Sequence, residues 1–299
     1  MHMRRLGRTG LMVSEIGLGA LEIGRDWGIV ADDIDKPPED EAIQVLEQAV
    51  RLGINLIDTA KAYVLSEERI GRALSSGHLQ RDRIILATKG GERFDEVTGS
   101  AYDYSYEAIL LSLEESLELL HTPYVDLMQI HSAPVDVVRS GEAMRALKDA
   151  QADGKCRFVG ASFDDDQACL EAIGSGDYDA IQINYNLLER SGAEELISTA
   201  ARADVGVIVK QPLAKGLLTS KYAHASPQDR ERVAPYLFLQ NERQTLAQAA
   251  LRFVLSNPGV HSVLCGSKRP EHLESNARAG DGRGLTAAEL DQIAQMDNA

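Results

Sequence analysis

Apolar residues recur along this chain in two alternating periods. Short runs rich in Ile, Val and Leu fall at residues 16–20, 55–59, 83–88, 125–130, 157–161, 180–184, 206–209 and 262–265. Such runs suit parallel strands covered on both faces. Between them the period lengthens to that of an amphipathic helix. Ala42, Ile43, Leu46, Ala49 and Val50 form one face within residues 39–51, with Pro37-Pro38 before it and Gly53 after it as start and stop signals. Ser66-Glu67-Glu68 opens the next helix, and Ile109, Leu110, Leu113, Leu117 and Leu120 stripe the third. Residues 140–153 read as the fourth, ended by Gly154, and Asp164-Asp165-Asp166 opens the fifth with charge suited to a positive helix end. Ser191-Gly192-Ala193-Glu194 reads as a capping box for the sixth, residues 245–256 and 269–279 as the seventh and eighth, and Thr286-Ala287-Ala288-Glu289 as a capping box for a terminal helix.

Eight β-then-α units predict an α/β fold of the (β/α)8 TIM-barrel type; an open doubly wound sheet is the competing arrangement. Residues 4–13 alternate around Arg8-Thr9-Gly10 and predict an N-terminal β-hairpin outside the barrel, matched by an extra helix at the C-terminus. Residues 211–241 exceed a simple βα loop and fall on the barrel face that carries active sites. No linker, repeat or low-complexity stretch divides residues 1–299, so one domain is expected.

Composition narrows the function. The 299 residues carry 46 Asp+Glu against 31 Lys+Arg, a net charge of −15. That balance argues against a nucleic-acid partner and an anionic membrane surface, yet leaves room for an anionic small ligand at a local basic site. Met-His-Met-Arg-Arg has no apolar stretch after it, so no secretory signal is expected, and no run is long enough to span a membrane. Cys156, Cys169 and Cys265 are odd in number and lack zinc spacing, which predicts reduced thiols in a cytoplasmic protein and no metal site. Oligomeric state is not legible.

The chemistry lies at strand ends. The second strand ends in Asp58-Thr59-Ala60-Lys61-Ala62-Tyr63, the third in Thr88-Lys89-Gly90, the fourth in Gln129-Ile130-His131, and the fifth in Gly160-Ala161-Ser162; the sixth carries Gln182. Three successive strands ending in acid, lysine and histidine, with a tyrosine five residues beyond the acid, form a more specific signal than any one of them. No G-x-G-x-x-G is present: Gly17-Leu18-Gly19 and Gly24 lack the spacing, so a Rossmann site is unsupported.

From Arg5-Leu6-Gly7-Arg8-Thr9-Gly10-Leu11 through Asp58-Thr59-Ala60 with Tyr63 and Ser66-Glu67, Gln182-Ile183-Asn184-Tyr185-Asn186 and Pro212-Leu213-Ala214-Lys215-Gly216 to Gly266-Ser267 with Asn276, the chain resembles the aldo-keto reductase family over nearly its whole length. The resemblance implies that Asp58, Tyr63, Lys89 and His131 form a catalytic tetrad for carbonyl reduction by hydride. Such a reduction leaves an alkoxide, which needs a proton and a donor aimed at the oxygen. Tyr63 would be the acid, Lys89 the cation that draws its pKa down, Asp58 the anchor of Lys89, and His131 a neutral donor. It also implies a nicotinamide dinucleotide across the barrel mouth. Ser162 and Gln182 would meet the nicotinamide amide, with Lys210 at the end of strand seven. Gln211, Pro212, Leu213 and Gly216 would wrap the pyrophosphate. Gly266, Ser267, Lys268 and Arg269, completed by His272 and Asn276, would form the adenosine-phosphate site. NADP(H) is favoured over NAD(H) on the strength of Lys268 and Arg269. The chain departs from the family pattern at Phe163, Val64, Lys210, Gly266 and His272. Trp27, Arg25 and Lys61 are candidate substrate contacts, and a small carbonyl or sugar-like substrate in an open pocket is expected. The expected activity is NADP(H)-dependent carbonyl reduction, or the reverse oxidation of a sugar or alcohol. The alternatives are a nicotinamide-binding regulatory or sensor protein of the same fold, and a nicotinamide-assisted elimination or epimerisation.

Overall fold

The structure, a computed structural model, describes residues 1–27, 34–190 and 192–297. A hairpin of β1 (Met3–Arg5) and β2 (Met12–Ser14) leads into β3 (Ile16–Gly19), β4 (Leu56–Asp58) and β5 (Ile85–Gly90). A second hairpin follows, β6 (Glu92–Asp95) and β7 (Gly99–Tyr102), then β8 (Val125–Ile130), β9 (Cys156–Ser162), β10 (Ala180–Asn184), β11 (Gly206–Lys210) and β12 (Ser262–Gly266). The parallel strands close into a barrel in the order β10-β11-β12-β3-β4-β5-β8-β9. This is the (β/α)8 fold that the alternation predicts. The β6–β7 hairpin is not visible in the apolar pattern, because its residues are largely exposed and carry no stripe.

Helices α1 (Glu39–Arg51), α2 (Ser66–Ser75), α3 (Tyr106–Leu119), α4 (Val135–Ser140), α5 (Glu142–Ala152), α6 (Asp166–Ser175), α7 (Ala193–Arg202), α8 (Pro227–Val233), α9 (Leu246–Ser256), α10 (Pro270–Ala277) and α11 (Ala287–Asp297) complete the chain. The helix expected over 140–153 is α5; a short helix that the sequence reading did not include, α4, precedes it, and Gly141, at φ 69°, divides the two. Capping follows the sequence elsewhere. Asp165 accepts from the backbone N–H of Gln167 and Ala168, and Thr245 and Gln248 cap each other reciprocally, as do Thr286 and Glu289. Ser191, the expected cap of α7, lies outside the described residues. The long loop holds α8 and several 3-10 turns rather than open coil.

Side-chain alternation along the strands divides the core in two. Leu56, Ile85, Ala87, Leu127, Ala180, Ile208 and Leu264 point inward and pack against Leu6, Leu11 and Val13 of the first hairpin. Ile57, Leu86, Met128, Ile181, Val207, Val209 and Val263 point outward against the helices. The hairpin therefore plugs the N-terminal end of the barrel. Gly7 makes this possible: a Cβ there would sit 2.3 Å from the backbone N of Gly206. With one end filled by apolar side chains, the inward positions nearer the other end are free to be polar. They are Asp58, Lys89, Gln129, Gln182 and Lys210, each two or more residues beyond an apolar inward neighbour.

Candidate active site

Four of those inward polar side chains, Asp58, Lys89, Gln129 and Gln182, form one network. Lys89 is fully buried, and its Nζ donates to Asp58 Oδ1, to the carbonyl of Thr59 at 2.9 Å and to the Tyr63 hydroxyl oxygen at 3.3 Å. All three ammonium protons thus have acceptors. Asp58 Oδ2 accepts from Gln129 Nε2 and Gln182 Nε2, each at 3.0 Å. A buried carboxylate and a buried ammonium are costly to desolvate, and this pair is satisfied by direct contact plus four further hydrogen bonds. Because Lys89 donates to the Tyr63 oxygen, the phenolic proton is left to point elsewhere. Tyr63 keeps partial exposure to the cavity, so that proton can be delivered there.

His131 follows β8 with its ring edge-on to Tyr63, the centroids 5.8 Å apart. Its Nδ1 lies 2.9 Å from Glu92 Oε2, off the line of a straight hydrogen bond, so the contact is chiefly electrostatic. Burial lowers the His131 pKa and outweighs the raising effect of Glu92, so the imidazole is neutral at neutral pH. Burial alone would push Glu92 up, but His131, Ser100 and Arg25 together bring it down to about 2. Burial opposes the Lys89 charge, and Asp58 overcomes it and keeps the ammonium charged. Tyr63 behaves differently from the expectation. Burial raises its pKa more than Lys89 lowers it, and Asp58 and Glu92 push in the same direction as burial. Burial is the largest cause, and Asp58 offsets part of the Lys89 charge at the phenol. In the resting site Tyr63 is a neutral phenol, which is the protonation state of an acid.

A cavity of about 680 Å³ opens above this network. It runs from Asp58, Tyr63 and His131 past Gln182, Lys210, Gln211, Pro212, Leu213 and Gly216 to Gly266, Ser267, His272 and Asn276, with Arg25 and Trp27 on its rim. Most of the expected site residues therefore meet on one wall. Three do not. Ser162 points inward but lies beneath the wall, where its Oγ accepts from the backbone N–H of Ser132 at 3.1 Å. Lys61 turns outward to Glu115 at 3.1 Å, drawn by an opposite charge on α3. Lys268 turns from the wall, its Nζ donating to the carbonyl of Asp35 at 3.0 Å. Arg269 is not on the wall either. Phe163 is no part of the cofactor wall. Alternation at the end of β9 turns it outward, where it is buried among the helices with its ring 6.1 Å from Tyr178.

The next residue, Asp164, faces the cavity and pairs with Lys210 at 2.6 Å. Sequence reasoning missed it as a wall residue, although the same alternation that removes Phe163 predicts it. It also missed Glu92, Ser100 and Tyr102, brought to the cavity by the β6–β7 hairpin, and Glu22, brought by the segment after β3. Phe94 of that hairpin carries the Arg25 guanidinium 3.1 Å above its ring centroid, which fixes a cation at the rim. Val64, where the family pattern has Gly, adopts φ 55° and ψ −93°, strained for a β-branched residue. That strain sits directly after Tyr63 in the turn that aims its hydroxyl. Among the described residues no group of His, Cys, Asp and Glu is placed to hold a metal ion, and no helix is long and apolar enough to cross a membrane.

A closed β/α barrel whose mouth carries a Tyr–Lys–Asp–His cluster beside an elongated cavity defines a class of barrel oxidoreductase. Residues 15–298 match the family model described as "Aldo/keto reductase family". The chain is 30% identical to "Uncharacterized oxidoreductase YqkF" of Bacillus subtilis over 97% of this chain and 94% of that protein. It is 33% identical to "L-galactose dehydrogenase" of Arabidopsis thaliana over 93% of this chain and 88% of that protein. The holo form of aldo-keto reductase AKR11C1 from Bacillus halodurans superposes with a TM-score of 0.85 at 28% identity, covering 99% of this chain and 96% of that one. This chain belongs to the aldo-keto reductase family and is an oxidoreductase.

Proposed function

We propose that the protein reduces the carbonyl of a small polyhydroxylated substrate, or oxidises the corresponding alcohol, with Tyr63 as the acid or base and a nicotinamide dinucleotide as redox partner. The observation that carries this reading is the Tyr63 hydroxyl 3.3 Å from a charged, fully buried Lys89 at the floor of the elongated cavity. The cavity suits a dinucleotide. Its size is that of an ordinary ligand site, and its far end lies at Ser267 and the start of α10, where a helix N-terminus favours a phosphate. When bound, the dinucleotide supplies or accepts the hydride.

The chain's own residues handle the proton. His131, neutral and edge-on to Tyr63, orients the substrate oxygen beside the phenol. Tyr63 donates its proton as negative charge grows on that oxygen. Lys89, already donating to the Tyr63 oxygen, stabilises the phenolate left behind. Asp58, held by Gln129 and Gln182, keeps Lys89 protonated and in place. In the oxidative direction the same groups act in reverse, and the raised pKa of Tyr63 makes that direction faster as pH rises.

The rim supports a hydroxyl-bearing substrate. Arg25, Ser100, Ser132 and Lys210 offer donors, Glu92 and Asp164 offer acceptors, and Trp27 and Tyr102 offer aromatic faces. That mixture suits a sugar or hydroxyaldehyde better than a wholly apolar ketone. The form of the dinucleotide turns on the far end of the cavity, where Lys268 and Arg269, the cations favouring NADP(H), are off the wall. The test is a panel of aldoses, hydroxyaldehydes and simple ketones followed at the nicotinamide absorbance in both directions. Turnover of polyhydroxylated compounds, lost in Tyr63→Phe, is the expected result. No turnover of any carbonyl or alcohol with either dinucleotide overturns the reading.

A further inference from the structure

We propose that Arg25 selects a substrate bearing a carboxylate, so that the reaction interconverts an oxo acid and its hydroxy acid, with the dinucleotide still the redox partner; the inference rests on the functional reading above. Arg25 follows Gly24, and Gly24 is packed on the turn that carries Tyr63. A Cβ at Gly24 would meet the Tyr63 carbonyl oxygen and the Ser66 nitrogen at 2.3 Å each. The Leu65 N–H donates to the Gly24 carbonyl at 3.2 Å, and the Arg25 N–H donates to the Leu21 carbonyl at 2.9 Å. Backbone contacts therefore hold Arg25 beside the acid, and both residues line the same cavity.

The guanidinium is held by its faces. It lies 3.1 Å above the Phe94 ring centroid and 5.8 Å from that of Trp27. Stacking occupies the faces of the plane and leaves the N–H groups along its edge. Other cations near the site have close acceptors: Lys89 has Asp58, Lys210 has Asp164 and Lys61 has Glu115. Among the described residues no oxygen accepts a hydrogen bond from the Arg25 edge, and no carboxylate comes within ion-pair distance of it. Glu92 acts on it only through space, favouring the charge that burial opposes. A fork of donors partly withdrawn from water and without an acceptor gains from binding an anion. The ionisable groups that reach Arg25 are Glu92, Tyr63 and Tyr102, all at the Tyr63 end of the cavity. The anion it meets therefore belongs to the molecule that meets the Tyr63 hydroxyl. The fork matches the two oxygens of one carboxylate. A phosphate dianion suits it less, because Glu92 and Asp164 line the same wall and Lys210 is already paired with Asp164.

The test uses substrates that differ at one group: glucose with glucuronate and glucose 6-phosphate, and butanal with succinic semialdehyde. The full-length protein and its Arg25→Met and Arg25→Lys variants are compared with saturating dinucleotide. Wild type is expected to favour each carboxylate over its neutral partner by at least ~10-fold in kcat/KM. The difference should be carried by KM, because the carboxylate lies away from the reacting carbon and is bound alike in ground and transition states. Arg25→Met should bring that ratio to about one, and any effect on the shared machinery cancels within it. Arg25→Lys, which keeps the charge but not the fork, should retain only part of the preference. Trp27, the chain's one tryptophan, gives a readout without turnover: glucuronate should change its fluorescence in wild type and not in Arg25→Met. No carboxylate preference in wild type, a preference or fluorescence response that survives Arg25→Met, or a stronger preference for the phosphate overturns the role of Arg25 alone. Turnover of no member of either series with either dinucleotide overturns the functional reading as well.

Discussion

At the tetrad end of the cavity Asp58 and Lys89 stand on barrel strands, His131 one residue past β8 and Tyr63 in the turn after β4, and the buried charges are paired: Lys89 with Asp58, Asp58 with two glutamines. At the far end of the cavity the wall is made of the segment after β3, the long loop and α10. The contrast separates groups braced by strands from groups carried by loops. Proton transfer needs positions fixed within fractions of an ångström, which strands braced by hydrogen bonds supply to Tyr63 through Lys89. A wall built from loops can change by single substitutions without disturbing that bracing.

The strongest test of the contrast removes the acid itself. Tyr63→Phe should lower kcat/KM for carbonyl reduction by roughly 10²–10⁴-fold while dinucleotide affinity is held, since the lost proton serves the reacting oxygen only. Retention of the rate would break the distinction at its root. Lys89→Met comes next and should be felt in stability as well as rate. It leaves Asp58 buried and unpaired, at a cost of about 3–5 kcal/mol in denaturant unfolding, whereas substitutions at the loop-built end should leave stability nearly unchanged. Gly24→Ala reaches the same acid from behind. A Cβ there would meet the Tyr63 carbonyl and the Ser66 N–H at 2.3 Å, so the turn must move. A loss of about 1–3 kcal/mol with reduced kcat is expected from differential scanning and initial rates.

Glu92→Gln tests electrostatics rather than packing. Neutral His131 is the working form, and its pKa is depressed by burial against the raising influence of Glu92. Removing that negative charge lowers it further, so the acidic limb of kcat/KM should move to lower pH in a pH–rate profile. An unmoved limb would detach Glu92 from His131. The smallest effect is expected at Lys268. Lys268→Ala should change the ratio of NADH to NADPH affinity by no more than a factor of about two, in line with a surface position off the wall, worth within ~0.5 kcal/mol. A large loss of NADPH binding would return it to the phosphate site.

Much of the tetrad end was legible from residue order. Asp58, Lys89 and His131 end successive barrel strands in register, and Tyr63 follows in the one turn that β4 leads into. The same alternation assigns Phe163 outward and Asp164 inward. Glu92 and Tyr102 were not legible, because the β6–β7 hairpin that carries them has no apolar stripe and folds back over the mouth by contacts far along the chain. The Glu22–Gly266 contact was invisible for a related reason. It joins residues 244 positions apart through the pairing of β3 with β12, and only barrel closure sets that distance.

The sequence by itself determined the barrel, its plug and the identity of its inward polar residues, because strand and helix periods, caps and alternation are local properties that each segment carries alone. The tertiary structure decided the rest. It set the sign of the Tyr63 shift, because burial and the Asp58 charge are collective quantities. It moved Lys61, Lys268 and Ser162 off the wall, because their partners Glu115, Asp35 and Ser132 come from other elements. It also brought Glu22 to the cavity wall. Residue order records which groups are present; closure of the barrel determines which of them share a cavity.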